Sequence, residues 1–393
     1  MSQMLNKNKR VVVAMSGGVD SSVATFLLKK QGYDVVGIFL KFWQPPEKLY
    51  REKKENLCCD LNSLNTARRV AEILKMPFYV IDLSHEFKKK IVDYYLKEYE
   101  DGRTPNPCVF CNKFIKFGLL WQKALGLDAS FLATGHYARL CRAKSQIPNP
   151  KSQILGAHTA QYFLSRAKDE TKDQSYFLWD IDKKIIPHLI FPLGDLNKKE
   201  VRDIARKAKL PVYNKKDSQG VCFIPDGDNK RFLFFFSKKL SKPGEIVDKY
   251  SNVLGYHKGL VSYTIGQREG LGDEIAGNWS RANKKKTSPP PLYVKKLDIK
   301  KNRLIVAENR EIFSRGLLVK NINIFDEESF EKHKLIYVQI RGGHKAEECK
   351  ILKRRNRKEV SLKFSKSIRA ITPGQSAVFY DKKGQVLGGG IIC

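Results

Sequence analysis

Along the first 135 residues, short apolar runs alternate with longer stretches whose apolar residues recur every three or four positions. Val11-Val12-Val13-Ala14-Met15 is mostly β-branched with no polar interruption, which predicts a strand buried on both faces. It stops at Ser16-Gly17-Gly18, and residues 20–31 follow with helical spacing. Residues 33–40 predict a second buried strand, and 41–60, polar and carrying Pro45-Pro46, a long loop over the site. Leu64, Ala67, Val70, Ala71 and Leu74 place a helix over 63–75, which Pro77 ends before a third strand at 78–81. Helical spacing returns at 86–100 and 113–125. A fourth strand at 129–134 then leads into Gly135-His136-Tyr137. This alternation predicts an α/β domain, a parallel sheet doubly wound by helices, with ligands at the carboxyl ends of its strands. Gly17, Leu40 and Gly135 all fall at such ends.

The pattern then changes. Residues 142–161 are polar and aperiodic, the mark of an exposed insertion, and 183–210 read as helical with a basic face. Beyond Pro211, short β-type runs dominate. Those at 292–294, 303–307, 335–340, 349–352, 360–364 and 376–380 predict a small antiparallel β-barrel, reached through a linker at 281–291. The expected division is an N-terminal catalytic domain over 1–210, a small central domain over 211–285 and the barrel over 286–393.

The first strand and helix enclose the most specific chemistry. Gly17 and Gly18 remove the Cβ atoms that would hold an anion away from the backbone N–H groups of a helix N-terminus, where the helix dipole adds positive charge. The string Ser16-Gly17-Gly18-Val19-Asp20-Ser21 lacks the Gly-Lys-Ser/Thr of a Walker loop and is not G-x-G-x-x-G. It resembles the pyrophosphate loop of ATP pyrophosphatases, and a carboxylate such as Asp20 beside a phosphate loop suits Mg²⁺.

Charge sharpens the picture. The 393 residues carry a net charge of +32, most simply explained by a polyanionic partner. No apolar run reaches membrane-span length and no signal-peptide core is present, so a cytoplasmic protein with mostly reduced cysteines is expected.

Two cysteine-bearing stretches stand out. In Pro105-Asn106-Pro107-Cys108-Val109-Phe110-Cys111-Asn112, the prolines place Cys111 at the start of a helix, where a thiol has a depressed pKa. C-x-x-C also suits a redox pair or half a zinc site, although no second C-x-x-C follows. Gly220-Val221-Cys222-Phe223-Ile224 places a further cysteine after a glycine turn. With an AMP-transferring loop, two cysteines suit sulfur transfer: one carries a persulfide and the other completes the exchange by forming a disulfide. A pyrophosphate-loop enzyme forming a C–N bond is the nearest alternative, and it would need neither cysteine. A non-enzymatic tRNA-binding or redox module is the alternative from another class.

Together with residues 102–107, Ala133-Thr134-Gly135-His136-Tyr137, 172–178, Asp217-Ser218, 264–268, 372–380 and 388–392, these strings make the chain resemble bacterial tRNA-specific 2-thiouridylases over nearly its whole length. The resemblance implies an adenine nucleotide hydrolase-like N-terminal fold. It implies ATP-dependent replacement of the C2 oxygen of the wobble uridine by sulfur, with AMP and pyrophosphate released. ATP would be met by Ala14, Met15, Ser16, Gly17, Gly18, Val19, Asp20, Ser21, Leu40 and Gly135. The target base would be met by Asn106, Pro107 and Cys108, and tRNA by Lys172, Asp173, Gln174, His136, Arg341 and Gln375. Cys111 matches the nucleophile and Cys222 the persulfide carrier, loaded by a cysteine desulfurase or a relay protein. Many family members have Asp where this chain has Cys108. Cys108, Cys111 and Cys222 would therefore also suit a [4Fe–4S] cluster, with Cys111 and Cys222 as ligands. A family Arg-aromatic pair appears here as Arg341-Gly342.

Overall fold

The computed structural model describes residues 9–50, 60–142, 162–217, 220–238, 240–271, 275 and 291–393. The expected insertion (143–161), most of the linker (281–290), residues 51–59 of the long loop and Ser218 lie outside the described residues.

β1 (Arg10–Met15) runs in the middle of a parallel sheet, where Val11, Val12 and Val13 are fully buried. α1 (Val19–Lys30), β2 (Asp34–Lys41), α2 (Leu61–Ile73) and β3 (Phe78–Asp82) follow as expected. Two long helical segments come next, each with a π-helical stretch. The first, α3, joins Ser84–Phe87, Lys88–Val92 and Asp93–Glu100; the second, α4, joins Pro107–Phe110, Cys111–Leu119 and Leu120–Leu125. β4 (Phe131–Ala133), the hairpin β5 (Arg139–Arg142) and β6 (Tyr162–Ser165), and β7 (Leu189–Ile190) complete the strands of this region. The parallel sheet has the order β3-β2-β1-β4-β7. The helical reading of 183–210 holds only in part. A 3₁₀ turn at Lys183–His188 gives way to β7, and α5 (Lys198–Lys207) forms where Asn197 and Glu200 make a capping box.

After α6 (Asn229–Phe236) come β8 (Gly244–Val247), β9 (Val253–His257), β10 (Leu292–Asp298) and β11 (Arg303–Glu308). They form one sheet of order β10-β11-β8-β9, in which β11 and β8 run parallel. The apolar runs at 292–294 and 303–307 therefore pair with this central sheet and not with the barrel. Their alternation is the same in either partner, so only long-range pairing separates the two cases. The barrel consists of β12 (Phe313–Ile324), β13 (Leu335–Gln339), β14 (Glu347–Asn356), β15 (Glu359–Arg369), β16 (Ser376–Tyr380) and β17 (Val386–Ile392), with α7 (Glu327–Lys332) between β12 and β13. It closes in the order β12-β15-β14-β13-β16-β17.

A short segment of the N-terminal region plugs onto the barrel. Trp179, 1% exposed, donates its indole N–H to Ser376 Oγ at 3.0 Å, and the Tyr176 hydroxyl donates to the Ser376 carbonyl at 2.9 Å. Asn323 Nδ2 donates to the carbonyls of Trp179 and Ile181. Gln375 Nε2 donates to the Thr104 carbonyl at 2.8 Å, while the Thr104 N–H donates to the Pro373 carbonyl. The loop before α4 is thus positioned by the far end of the chain. No helix among the described residues is long and apolar enough to cross a membrane.

Candidate active site

The turn after β1 has the geometry of an anion cradle. Gly17 adopts a φ of +67°, in the left-handed region, and a Cβ on it would lie 2.0 Å from the Ser63 carbonyl oxygen. The Ser16 N–H donates to Ser21 Oγ at 3.1 Å, which folds the loop over the start of α1. Gly135, after β4, approaches the same helix end: a Cβ there would lie 2.7 Å from the Ser21 nitrogen.

These ends enclose a cavity of about 210 Å³. Ala14, Met15, Ser16, Asp20, Ser21, Leu40, Gly135, His136 and Gln174 line it, all singled out by sequence, joined by Phe42, Lys116 and Thr134. Gly17 and Gly18 form the turn and Val19 opens α1, and none of the three lines the cavity. His136 Nδ1 is 2.7 Å from Thr134 Oγ1. Burial, with the charge of Lys116 adding to it, holds its imidazole well below the usual histidine range, so the ring is neutral near pH 7.

A charged network that sequence reasoning missed stands beside the loop. Lys198 Nζ donates to both oxygens of Asp20, each at 2.8 Å, and lies 2.8 Å from Asp217. The Tyr137 hydroxyl also donates to Asp20, at 2.8 Å. Burial, with the Asp20 carboxylate next, raises the Tyr137 pKa, so it stays a donor. Lys172 and Arg202 each donate to Asp217 at 2.9 Å. Lys215 Nζ donates to the Gly17 carbonyl at 3.1 Å and to Ser63 Oγ at 3.0 Å. The one local signal was the Lys-Lys-Asp run at 215–217; nothing at Lys198 marks it apart from other helix lysines.

Both oxygens of Asp20, the carboxylate expected beside Mg²⁺, accept from Lys198 in this arrangement. Burial alone would raise the Asp217 pKa, but hydrogen bonds from Lys198 and Lys172 outweigh it and hold the carboxyl at about 2. A carboxyl depressed from 3.8 to about 2 contributes about 2 kcal/mol of stability above pH ~4, lost as pH falls through 2. Asp217→Asn is expected to cost about this much at pH 7 in denaturant unfolding, and its difference from wild type should shrink on acidification. A difference that is constant between pH 7 and pH 2.5 would contradict the pairing.

The cysteines call for two corrections. α4 begins at Pro107, whose fixed φ suits a first helical position, so Cys108 occupies the first turn and Cys111 lies a turn further in. The helix-terminus argument for thiolate therefore applies to Cys108, not Cys111. The second concerns the cluster. Cys108 is exposed, Cys111 buried and Cys222 partly buried, and among the described residues no three His, Cys, Asp or Glu side chains are grouped to hold a metal ion. The [4Fe–4S] arrangement does not fit these thiols. The segment of Cys222 nonetheless packs near α4, since the Phe223 ring meets Tyr95 at 5.3 Å and Tyr95 lies within electrostatic reach of Cys108.

The remaining predicted residues hold structure together. Asp173 accepts from the Ala167 and Ser175 N–H groups, Ser175 Oγ and Arg166, and it is nearly buried. Gln174 Oε1 accepts from the Tyr137 N–H at 3.0 Å. Arg341 donates to the Ala370 carbonyl and Thr372 Oγ1. A Cβ on Gly342 would lie 3.3 Å from the Phe177 ring, so Phe177 already fills the space beside Arg341. Asn106 lies beside the Tyr176 hydroxyl. Pro107 is buried at the first position of α4.

Three family models cover this chain in order: a tRNA methyl transferase HUP domain at 9–226, a tRNA methyl transferase PRC-barrel domain at 234–308 and an aminomethyltransferase beta-barrel domain at 314–392. The tRNA-specific 2-thiouridylase MnmA 2 of Thermoanaerobacter sp. (strain X514) is 44% identical over 386 residues, 98% of both chains. The tRNA-specific 2-thiouridylase MnmA of Clostridium perfringens (strain 13 / Type A) is 41% identical over 384 residues, again 98% of both. The chain belongs to the tRNA-specific 2-thiouridylase family. In this thiouridylase-family enzyme the strand–turn–helix cradle opens on a cavity that α4 reaches through Lys116. Among solved structures, the U34-tRNA thiolase NcsA from Methanococcus maripaludis with its [4Fe-4S] cluster aligns at a TM-score of 0.32. The alignment has 20% identity and covers 56% of this chain and 62% of that one. That likeness is too remote to transfer a residue role to this thiouridylase-family chain.

Proposed function

We propose that the chain uses ATP to adenylate the C2 oxygen of the wobble uridine of tRNA and then replaces that oxygen with sulfur. The observation that carries this reading is a shared wall. The helix that holds Cys111 also lines the cavity at the pyrophosphate-type loop, through Lys116.

In the first step the uridine O2–phosphorus bond forms as the α–β phosphoanhydride breaks. Pyrophosphate leaves, and N3 gives its proton to solvent. The nucleotide uses Ala14, Met15, Leu40 and Gly135 as its walls, with its phosphates over Gly17, Gly18 and the start of α1. In the second step the terminal sulfur of a Cys222 persulfide bonds C2, and the C2–O bond to AMP breaks. Cys111 thiolate then attacks Cys222 Sγ, forming a disulfide and releasing the thiocarbonyl, while N3 regains a proton. A thiol reductant reopens the disulfide, and a desulfurase or relay protein reloads Cys222. The net charge of +32 suits a tRNA partner. The first domain boundary, at 210, stands as part of this proposal, while the second moves from 285 to beyond β11, which pairs with β8 of the central sheet. The barrel end presents Gln375 and Arg341 beside the loop of Asn106, Pro107 and Cys108.

Nucleoside mass spectrometry of unmodified tRNA, incubated with the purified chain, ATP, Mg²⁺ and a persulfide source, tests the reading. The expected product is 2-thiouridine, formed without iron–sulfur reconstitution and with one AMP per thiolation. Thiolation only after reconstitution overturns the persulfide route. No thiolation of a tRNA that a competent enzyme modifies under the same conditions overturns the function.

A further inference from the structure

We propose that Lys116 is the cation that contacts the α-phosphate of ATP and then the departing AMP, and that its place on α4 couples adenylation to the cysteine chemistry.

The first support is the cavity itself. Of the described residues lining it, Lys116 alone carries a fixed positive charge, while Asp20 is already neutralised by Lys198. Apolar Ala14, Met15, Leu40 and Phe42 form one part of the wall, suited to a purine. The Ser16–Ser21 turn and helix N-terminus form another, suited to the outer phosphates. An α-phosphate joining the two passes the side formed by Gly135, His136 and Lys116. Lys116 and His136 both line the cavity, and the lysine's charge acts on the His136 ring.

The second support is helical geometry. Cys111–Leu119 is π-helical, closing i→i+5 hydrogen bonds, so residues five apart lie one above the other. Cys111 and Lys116 are five apart and share a face. In a regular α-helix the same spacing would carry them well apart around the axis. The widened stretch thus directs a lysine to the nucleotide on the face that carries the thiol. π-helical turns inside α-helices are frequent at functional sites, and this one has a specific consequence.

The chemistry follows from charge. As O2 attacks, negative charge grows on the non-bridging oxygens of the α-phosphate, and AMP departs as a dianion in the second step. An ammonium fixed beside those oxygens stabilises both transition states more than bound ATP, so its loss falls on the rate rather than on binding.

This inference rests on the ATP-dependent adenylation proposed above. The test measures tRNA-dependent AMP formation by wild type, Lys116→Met and Lys116→Arg, with KM for ATP, kcat and thermal midpoint for each. Lys116→Met is expected to lower kcat by about 10²–10³-fold with KM for ATP changed less than tenfold. Lys116→Arg should recover a tenth or more of the wild-type rate, because it restores the charge. Wild type failing to form AMP with competent tRNA overturns the adenylation reading itself. Wild type active and Lys116→Met within threefold of it overturns only the Lys116 assignment. So does equal loss in both variants with a lowered midpoint, which marks a purely structural residue.

Discussion

Replacing Cys111 with serine is expected to end 2-thiouridine formation, with at least a 10³-fold loss, while tRNA-dependent AMP formation continues. The substitution is nearly isosteric, and Cys111 is 7% exposed inside α4, so the fold should tolerate it. What is lost is the sulfur. A serine hydroxyl is not ionised near neutral pH and cannot form a disulfide with Cys222 as the thiouridine is released. Adenylation precedes that step and needs only the cradle, Lys116 and the uridine. The variant should therefore form AMP once per bound tRNA and leave the nucleoside on Cys222 or lose it to hydrolysis. Quantifying AMP and 2-thiouridine in the same single-turnover reaction separates the two steps. If Cys111→Ser thiolates at more than a tenth of the wild-type rate, another group resolves the persulfide and the assignment of Cys111 is wrong.

Gly17→Ala is expected to raise the dissociation constant for ATP at least a hundredfold, as read by calorimetric titration. A left-handed φ costs a non-glycine residue about 1–2 kcal/mol. The larger effect is steric. The added methyl would meet the Ser63 carbonyl at 2.0 Å, its carbonyl carbon at 2.8 Å and its Cα at 2.9 Å, all main-chain atoms of α2. That turn is not free to move: Asp60 caps the Ser63 N–H at 2.9 Å, and Lys215 ties Ser63 Oγ to the Gly17 carbonyl. The loop must give way, and its N–H groups lose their alignment on the phosphates. Gly18→Ala is the control. Gly18 has a φ of −91°, and a Cβ there meets only Ser16 Oγ, at 3.4 Å. Its main chain should be undisturbed and its effect smaller. Equal affinities for Gly17→Ala and wild type would show that the turn does not hold the phosphates.

Local pattern made the cradle legible. Strand β1, the glycine turn and α1 are encoded within one stretch of the chain, because burial on both faces demands a continuous apolar run and the turn demands glycine. The long strings around Cys111, His136, Lys172 and Cys222 likewise marked the segments that meet. Lys198 and Lys215 escaped notice because a lysine that neutralises a carboxylate 178 positions away, or bonds a distant main-chain carbonyl, has no local signature. Lys116 escaped notice for a different reason: helical periodicity assumes 3.6 residues per turn, and the π-helical stretch breaks that assumption where it matters. The start of α4 was misplaced because apolar spacing becomes visible only after Pro107.

The sequence by itself determined the parallel α/β domain, the glycine turn at its first strand and the family, since each rests on order and spacing along the chain. Only the tertiary structure decided which strands belong to the central sheet, how Trp179 and Gln375 lock the barrel against the loop before α4, and which cations serve Asp20 and Asp217. Those outcomes depend on pairings and charges that meet only when distant segments pack, where a buried hydrogen bond or ion pair selects one partner among many equivalent ones.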